Sequence, residues 1–558
     1  MLIGIDVGGT FTDGVLYHDH KILRSMKSPT ESDNLQASVL AVLDELLKDT
    51  RGSDIARVVL STTLVTNLLA TGGGDKVALI LIPGPGLNLR QLRFFNFAYI
   101  VEGATDFRGR ITEPLNKSQI ERAGEEIVAA GIDKVAIVGK FSPRNSSHER
   151  ETKQILLSRH PHLQIITGFE VSGQLNFLRR TVTTYYTAVT KNTWASFATN
   201  VQAAIRARGI DAAIDILKAD GGTMPLPVSL QYPCETIFSG PAASTMGAYA
   251  LTLDEKTSVV IDIGGTTTDL ALILEGEPLH SSRGALIGGL HSNVRSFATR
   301  ALALGGDSAV RWQEGKLTIG PDRLGPAACF GGPVATPTDA INLLKQGKLG
   351  PLPPSQQALE KIARPAGLTV AELAQQTIDQ AIAQLLASIN DMFTAWEQEP
   401  AYKIWELIHR RPVTADRVIG IGAAAAAFMP LIAAKLGCRS FVHTYSPIAN
   451  ALGAAVSRPT LSLLLHADTK RRHYHLNIDG ITGSCNSNWR LTDAKEEARN
   501  QLRKIAQQRG IGHYANQYEF FREEQFNMIR GWSTTGKLYD VGIQIAPGVI
   551  DGFKGVQP

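Results

Sequence analysis

The chain has 558 residues, 44% of them hydrophobic and 19% charged, and its formal net charge is only +4. This length predicts three or four domains, and so small a net charge gives no reason to expect a nucleic-acid partner. The four cysteines are far apart and form no C-x-x-C pair, so neither a disulfide framework nor a cysteine zinc site is expected, and a cytoplasmic location fits best. No secretory signal is visible, and the longest uncharged apolar run, 418–434, is shorter than the ~20 residues that span a membrane.

The first predicted elements are two strands that form a hairpin. Residues 1–7 and 11–17 are short, β-branched runs, and Gly8, Gly9 and Thr10 separate them, so a glycine turn is expected between the strands. The same pattern, I-D-[VI]-G-G-T-x-T-D-x-[VA]-L, occurs at residues 5–16 and again at 261–272. Two distant copies of one unit predict two large domains of similar build, each beginning with the same hairpin.

The two hairpins are candidate phosphate-binding loops. Walker A and Rossmann loops run from a strand into a helix, whereas here a second strand follows the glycines, so neither of those motifs is present. Glycines let backbone N–H groups approach an anion directly, and Thr10, Thr12, Thr266 and Thr268 add hydroxyl donors. The aspartate before each turn can orient a hydrated Mg²⁺ that neutralises phosphate charge. One copy alone would be equally compatible with a plain β-turn, and the duplication favours a nucleotide cleft between two lobes.

The rest of the chain alternates strands and helices, with proline- and glycine-rich loops at 347–354 and 363–367. The predicted elements are strands at 77–82 and 134–138, helices at 183–206 and 370–397, a buried strand-loop-helix at 418–434, a helix at 492–508 and a strand at 537–545.

Several other residues have both a functional and a structural interpretation. Ser239-Gly240-Pro241 can form an anion-binding turn or a plain turn, with equal weight. Thr66 and Asn67 can bind substrate, but helix capping is the safer interpretation. The pairs His160/His162 and His473/His475 lack a nearby third ligand, so a metal site is disfavoured. Lys470-Arg471-Arg472 is interpreted as an exposed charge run, Cys329 as a buried thiol, and Asp13 and Asp269 as structural.

With its duplicated hairpins, the chain resembles the superfamily of actin, sugar kinases and heat-shock chaperone ATPases. That resemblance implies an α/β fold with two ribonuclease-H-like lobes around a nucleotide cleft. It also implies an adenosine-binding turn, for which Gly420, Gly422 and Ala423 have the expected strand-glycine-helix form. The segment 447–455 resembles the closing helix of that fold.

Within the superfamily, the chain resembles the A-type subunit of the hydantoinase/oxoprolinase family. The resemblance covers most of residues 1–455. The segments that carry it include Thr62-Thr63-Leu64-Val65-Thr66-Asn67, Arg180-Thr181-Val182-Thr183-Thr184, Asp220-Gly221-Gly222, Ser239-Gly240-Pro241-Ala242-Ala243, Gly305-Gly306-Asp307-Ser308 and Pro337-Thr338-Asp339-Ala340.

These resemblances imply an order of domains: a first lobe over 1–180, a second lobe over 181–458, and a small α+β extension over 459–558. Asp6 and Asp262 are then the expected catalytic and metal-binding residues. The expected nucleotide-binding residues are Gly8, Gly9, Thr10, Thr12, Gly264, Gly265, Thr266, Thr267, Gly420, Gly422 and Ala423.

The family resemblance implies ATP and Mg²⁺ as cofactors, and ATP hydrolysis coupled to opening of a cyclic amide or imide. It also implies a separate B-type subunit, and an oligomeric assembly is expected. Two alternatives remain open at this point. One is a small-molecule kinase that uses the same cleft, and the other is a non-catalytic module gated by ATP.

Overall fold

The computed structural model describes residues 1–31, 34–87, 95–398 and 414–557. The first lobe begins with three antiparallel strands, and a fourth strand joins the first in parallel. Helix α1 covers this sheet with Val39, Val42, Leu43 and Leu46, which are all fully buried. The elements are β1 (Leu2–Val7), β2 (Phe11–His18), β3 (Lys21–Pro29), α1 (Leu35–Leu46), β4 (Arg57–Thr62) and α2 (Leu64–Ala70).

A separate α/β subdomain is inserted after α2. Its sheet has the order β10-β9-β5-β6 and is parallel throughout, which explains why β5 and β9 are continuous apolar runs buried along their whole length. The elements are β5 (Val77–Ile82), β6 (Ala98–Ile100), β7 (Ala104–Thr105), β8 (Ile111–Glu113), α3 (Lys117–Ala129), β9 (Lys134–Gly139), α4 (Ser147–Arg159), β10 (Gln164–Thr167) and α5 (Gly168–Val171). The strands predicted at 77–82 and 134–138 therefore exist, but in a sheet of their own.

A long helix leads from the insert back to the first sheet. The elements are α6 (Phe177–Arg206), β11 (Ala213–Leu217), β12 (Thr223–Pro225), α7 (Leu226–Ser229) and α8 (Ser239–Thr252). Strand β11 pairs in parallel with β4, so the first sheet has the order β12-β11-β4-β1-β2-β3. The boundary expected at residue 180 is thus misplaced, because the sequence shows no sign that β11 and β12 return to a sheet begun about 200 residues earlier.

The second lobe repeats the antiparallel hairpin and the parallel neighbour of the first. Its main sheet has the order β15-β14-β13-β21-β22, and β18 also pairs with β14. The strands are β13 (Ser258–Ile263), β14 (Thr268–Leu274), β15 (Glu277–Pro278), β16 (Leu286–Ile287), β17 (Leu290–His291), β18 (Thr299–Leu302), β19 (Ser308–Gln313), β20 (Lys316–Arg323), β21 (Arg417–Ile421) and β22 (Arg439–Phe441). The helices are α9 (Pro337–Leu344), α10 (Leu352–Ala366), α11 (Val370–Glu397), α12 (Ala425–Leu436) and α13 (Ala449–Val456).

The carboxyl-terminal extension is an antiparallel sheet of order β25-β24-β23-β27-β26 covered by one amphipathic helix. Its elements are β23 (Leu461–Asp468), β24 (His473–Leu476), β25 (Thr482–Ser484), α14 (Leu491–Gln508), β26 (Glu519–Arg530) and β27 (Ser533–Ile545). Ala494, Ala498 and Leu502 of α14 are fully buried against the sheet. The α+β character expected for this region is confirmed.

Two local predictions differ from the structure. The loop predicted at 363–367 is the last turn of α10, and only Gly367 leaves the helix, in a left-handed conformation with φ of 69°. Pro365 lies inside that helix, so the proline in this segment does not mark a loop as predicted. Thr66 and Asn67 do not cap a helix but lie within α2, whose N-cap is Thr63. Among the described helices, none is both long and apolar enough to cross a membrane.

Candidate functional site

Both predicted hairpins are present and have the same geometry. Gly8 N donates to Phe11 O at 3.0 Å in the first lobe, and Gly264 N donates to Thr267 O at 2.9 Å in the second. The strand register is also the same, because Asp6 lies opposite Asp13 and Asp262 lies opposite Asp269. The sequence duplication is therefore a structural duplication.

The two lobes bring Asp6 and Asp262 to one point. The amide Nδ2 of Asn450 lies 3.3 Å from Asp6 Oδ2 and 3.1 Å from Asp262 Oδ2, so a single side chain donates to both carboxylates. Ser244 Oγ also donates to Asp262 Oδ2. The ends of β1 and β13 therefore face each other across one cleft.

A close helix crossing holds this arrangement. Ser244 lies on α8 and Asn450 on α13, and the two helices touch backbone to backbone at glycines. A Cβ on Gly453 would lie 2.4 Å from Ala243 O, and one on Gly247 would lie 2.2 Å from Ala449 O. Only glycine permits this approach, so the crossing sets the positions of Ser244 and Asn450.

Burial and the neighbouring carboxylates raise the pKa values of the aspartates in this cluster. Burial raises the pKa of Asp6 from 3.8 to about 7, and the neighbouring charges of Asp13 and Asp262 add to the shift. Burial together with Asp262 and Asp6 raises the pKa of Asp269 to about 7. Burial also raises the pKa of Asp13, to about 6, although Lys27 Nζ lies 2.7 Å from its Oδ1 and opposes the shift. The ion pair with Lys27 supports the structural role expected for Asp13.

The residues present fit a hydrated Mg²⁺. Asp6 Oδ1 and Asn450 Oδ1 are buried oxygens without a hydrogen-bond partner in the described part of the chain. The described residues contain no group of three or more His, Cys, Asp or Glu side chains able to hold a metal ion. Two carboxylates and an amide suit Mg²⁺, which keeps several waters and is completed by phosphate oxygens, better than a metal that needs a full protein cage.

The hairpin residues do not all face the cleft. Gly9, Thr266 and Thr267 are exposed, Thr10 is half-buried, and a Cβ on Gly9 would meet no atom within 4 Å. Gly8 and Gly264 are held by the turn, and Gly265 lies beside the Asp307–Arg323 ion pair. Thr12 and Thr268 are instead buried, with Thr12 Oγ1 2.9 Å from Thr30 Oγ1 and Thr268 Oγ1 2.6 Å from Leu304 O.

The predicted adenosine turn divides into two parts. Gly422 and Ala423 follow β21, and a Cβ on Gly422 would lie 2.6 Å from Ile263 O and 3.3 Å from Asp262 Oδ1, so this turn borders the cleft. Gly422 has a φ of 91°, which also favours glycine. Gly420 lies inside β21, where a Cβ would collide with Met429 and Ala425 of α12. Packing accounts for the glycine at 420.

The remaining candidates make no hydrogen bond to Asp6 or Asp262 among the described residues. Ser239 is in the first turn of α8 and exchanges hydrogen bonds with Thr62, and Thr66 Oγ1 accepts from Phe238 N at 3.1 Å, so both join α8 to the β4–α2 connection. Cys329 is 5% exposed, which confirms the buried thiol. Lys470, Arg471 and Arg472 are exposed, as predicted.

The two histidine pairs differ in their local structure. His160 and His162 lie at the end of α4, whereas His473 and His475 lie on strand β24.

Sequence reasoning did not identify Asn450 or Ser244. The sequence does contain a signal for Asn450. It is the single polar residue of α13, whose sequence is ANALGAAV. Asp307 and Arg323 were also not predicted as neighbours of the second hairpin, because their ion pair joins the residue before β19 to the last residue of β20 and carries no local pattern.

Comparison with known families covers most of the chain. The profile of the hydantoinase/oxoprolinase family matches residues 180–462, and the profile described as the hydantoinase/oxoprolinase N-terminal region matches residues 2–159. The two profiles together include both hairpins, most of the inserted subdomain and the α8–α13 crossing.

Individual relatives are distant but extensive. The chain is 25% identical over 66% of its length to the caprolactamase alpha subunit of Pseudomonas jessenii, and 25% identical over 81% to 5-oxoprolinase of Saccharomyces cerevisiae. It spans 59% and 40% of those two proteins.

Solved structures share the fold. The nucleotide-free structure of acetone carboxylase superposes on this chain with a TM-score of 0.74 at 18% sequence identity. The superposition covers 100% of this chain and 88% of the acetone carboxylase chain. The structure of the ATP-dependent caprolactamase from Pseudomonas jessenii gives 0.69 at 19% identity, covering 97% and 87%. Because the profile that matches residues 180–462 alone covers half of this chain, the chain belongs to the hydantoinase/oxoprolinase family.

Proposed function

We propose that this chain is an ATP-dependent hydrolase subunit that couples ATP hydrolysis to the opening of a cyclic amide or imide, such as a hydantoin or 5-oxoproline. The observation that carries the proposal is the donation of Asn450 to both Asp6 and Asp262, which joins two duplicated hairpins into one cleft. The membership of the chain in a family that includes 5-oxoprolinase supports the choice of substrate class.

In the proposed reaction, the γ-phosphoryl group moves from ATP to the carbonyl oxygen of the ring amide. Water then attacks the activated carbon and the ring C–N bond breaks, which leaves an acyl phosphate on the opened chain. A second water hydrolyses the acyl phosphate, so ADP, inorganic phosphate and the ring-opened acid leave. Phosphoryl transfer depends mainly on positioning and charge neutralisation. A bound Mg²⁺ supplies part of that neutralisation.

The residues of the cleft have separate roles in this proposal. Backbone N–H groups of Gly9 and Gly265 approach the phosphates, and Thr10, Thr266 and Thr267 donate hydroxyl hydrogen bonds. Asp6 would hold Mg²⁺ through water, and Asp262 would orient water or the attacking group. Gly422 and Ala423 receive the adenosine. Thr12 and Thr268 contribute by holding the hairpins rather than by touching the nucleotide.

A separate B-type subunit is part of the proposal, and so is an oligomeric assembly. A relative of this chain is named as the alpha subunit of caprolactamase, and the acetone carboxylase relative is named as a beta subunit. A cytoplasmic location is also proposed, because all four cysteines are free thiols, which is usual in a reducing compartment.

The test measures Mg²⁺-dependent phosphate release from ATP by the purified chain, alone and with its copurified partner, over a panel of hydantoins, 5-oxoproline and other cyclic amides. We expect stimulation by at least one ring, and a loss of about 100-fold or more in Asp262→Asn. Asp49→Asn serves as a matched control, because Asp49 is 94% exposed and distant from the cleft.

Two outcomes would contradict the proposal. A phosphorylated small molecule that accumulates without ring opening would indicate a kinase. Tight ATP binding without stimulation by any ring, even with the partner present, would indicate a regulatory module.

A further inference from the structure

A second cleft, of about 450 Å³, lies where three regions of the chain meet. Arg144 and residues 173–179 come from the inserted subdomain and its exit, residues 281–295 come from the second lobe, and the carboxyl-terminal sheet supplies the remaining wall. None of the residues expected to bind nucleotide lines it.

A row of polar side chains crosses the sheet at this wall. The strand register places Asp540 of β27 opposite His466 of β23, and His466 opposite His475 of β24. His466 Nδ1 lies 2.5 Å from Asp540 Oδ1, and the rings of His466 and His475 have centroids 5.1 Å apart. Both histidines are 9% exposed. Apolar residues would be expected at buried sheet positions of this kind, so this row of three polar side chains calls for a partner.

Arg144 faces the same cleft with an unsatisfied guanidinium. Its Nε and Nη1 are buried and have no hydrogen-bond partner in the parts of the chain that the structure describes. Burial lowers the pKa of Arg144 to about 10, yet the group stays charged at neutral pH. A buried cation with unpaired donors is unfavourable, and a carboxylate that accepts from two of its nitrogens would satisfy it.

The charge of the whole cleft favours an anion. Four arginines line it, at positions 144, 179, 295 and 522, against the single carboxylate of Asp540. Burial raises the pKa of Asp540, and burial lowers the pKa of His475 to about 3, so His475 is neutral and able to donate or accept one hydrogen bond.

The cleft also adjoins the nucleotide-binding edge of the first sheet. A smaller cavity shares Asn293, Arg295 and Ser462 with it and reaches Lys218, which follows directly after β11. Strands β1, β4 and β11 are parallel neighbours, so their carboxyl ends lie along one edge at spacings of about 5 Å. Asp6 and Lys218 therefore both lie at the carboxyl-terminal edge of this sheet.

We propose that this junction cleft binds a small organic carboxylate, with Arg144 as the charged anchor and His466 and His475 as its hydrogen-bonding neighbours. This proposal rests on the proposed function and deepens it. The carboxylate is then a substituent of the cyclic amide substrate, and the reacting carbonyl of that substrate extends toward the smaller cavity.

The test is binding without nucleotide, measured by calorimetry on the full chain. The probes are 5-oxoproline, 2-pyrrolidinone, which has the same ring without the carboxylate, and inorganic phosphate. We expect 5-oxoproline to bind at least about 10-fold more tightly than either of the other two, because 2-pyrrolidinone lacks the carboxylate that pairs with Arg144 and inorganic phosphate lacks the ring.

Variants assign the binding to this cleft. Arg144→Gln is expected to weaken 5-oxoproline binding by about 10-fold or more and to leave 2-pyrrolidinone unchanged, while Arg144→Lys retains part of the affinity. Arg122→Gln is the matched control, since Arg122 lies on α3 of the same subdomain and is 74% exposed. If Arg144→Gln does not fold, Arg522→Gln tests the same cleft from a side chain that is 42% exposed, with an expected loss of about 3-fold.

Equal affinity of Arg144→Gln and Arg122→Gln for 5-oxoproline would overturn the proposal. Absence of binding, or tighter binding of 2-pyrrolidinone or phosphate, would also overturn it. The proposed function fails separately: carboxylate binding that depends on Arg144, without ring-stimulated ATP hydrolysis, would retain the site and reject the reaction. Ring-stimulated hydrolysis that is insensitive to Arg144→Gln would do the opposite.

Discussion

Asp6 shows how one residue can be unfavourable for stability and necessary for function. Its carboxyl is 3% exposed and lies near two other aspartates, which is why its pKa rises to about 7. Between pH 3.8 and pH 7 the folded chain therefore binds more protons at this position than the unfolded chain does. The stability from this group is present at low pH and is lost as the pH rises through 7.

Asp6→Asn is expected to make the ligand-free protein more stable at pH 8, by about 4 kcal/mol at most, because it removes a buried charge. The gain should shrink at pH 5.5, where Asp6 is already protonated. The measurement is denaturant unfolding of the wild type and the variant at both pH values, with Asp49→Asn as the control. ATP hydrolysis should be lost in the same variant. A stability difference that does not change with pH would contradict the raised pKa.

At the scale of elements, glycines serve two distinct purposes in this fold. In the α8–α13 crossing they allow two helix backbones to touch, and the shared contact of Asn450 with both lobes depends on it. In the β1–β2 hairpin, Gly9 is next to empty space, so no contact within the chain requires glycine there. Under the proposed function the glycine at position 9 leaves room for phosphate, whereas packing within the chain explains the helix glycines.

Gly9→Val and Gly453→Val are therefore expected to behave in opposite ways. Gly9→Val should keep the free energy of unfolding within about 0.5 kcal/mol of the wild type, yet weaken ATP binding by about 10-fold or more, since the side chain blocks the approach of phosphate to the backbone. Gly453→Val should destabilise the fold severely, because its Cβ would lie 2.4 Å from two backbone atoms. Thermal unfolding and nucleotide titration separate the two. Unchanged ATP affinity in Gly9→Val would argue against the hairpin as a phosphate loop.

At the scale of the whole molecule, the carboxyl-terminal extension is tied to the other regions. Gly173 N donates to Asn477 O at 2.9 Å, which joins the extension to the exit of the insert. Residues 550–557 contact both lobes, because Ile550 N donates to Val456 O of α13 and Gln557 N donates to His20 O after β2, both at 2.8 Å. Phe553 lies against Tyr17, with ring centroids 5.7 Å apart. The junction cleft depends on this arrangement, since the carboxyl-terminal extension forms one of its walls.

Phe553→Ala is expected to destabilise the first lobe, although the substitution is more than 500 residues from β2 in the sequence. Removing a ring that is 8% exposed should lower the free energy of unfolding by about 3 kcal/mol. Phe526→Ala is the control, because that ring is 51% exposed on β26 of the same extension. The check is a denaturant titration followed by circular dichroism. An unfolding midpoint as unaffected as that of the control would indicate that the extension is independent of the lobe.

Local patterns account for the elements that were predicted well. The hairpins, the helix at 370–397 and the strand at 77–82 depend on short-range periodicity and turn chemistry, and each agrees with the structure at nearly every residue. The errors arose where contacts are long-range. Strand β11 returns to the first sheet, and the inserted subdomain forms a separate sheet. Both features depend on pairings between distant strands, which residue periodicity does not encode.

The sequence by itself determined the duplicated hairpins, the two candidate aspartates and the family, because repeats and motifs are properties of the chain order. Only the tertiary structure decided that Asn450 joins the two aspartates, that Thr12 and Thr268 are turned into the core, and that Arg144 and His466 share a cleft. Asn450 is 444 and 188 residues from the two aspartates, and Arg144 and His466 are also far apart in the chain, so they meet only through helix crossings and sheet register of the whole folded chain. Thr12 and Thr268 bond to residues only 18 and 36 positions away, but their direction depends on the packing of each hairpin.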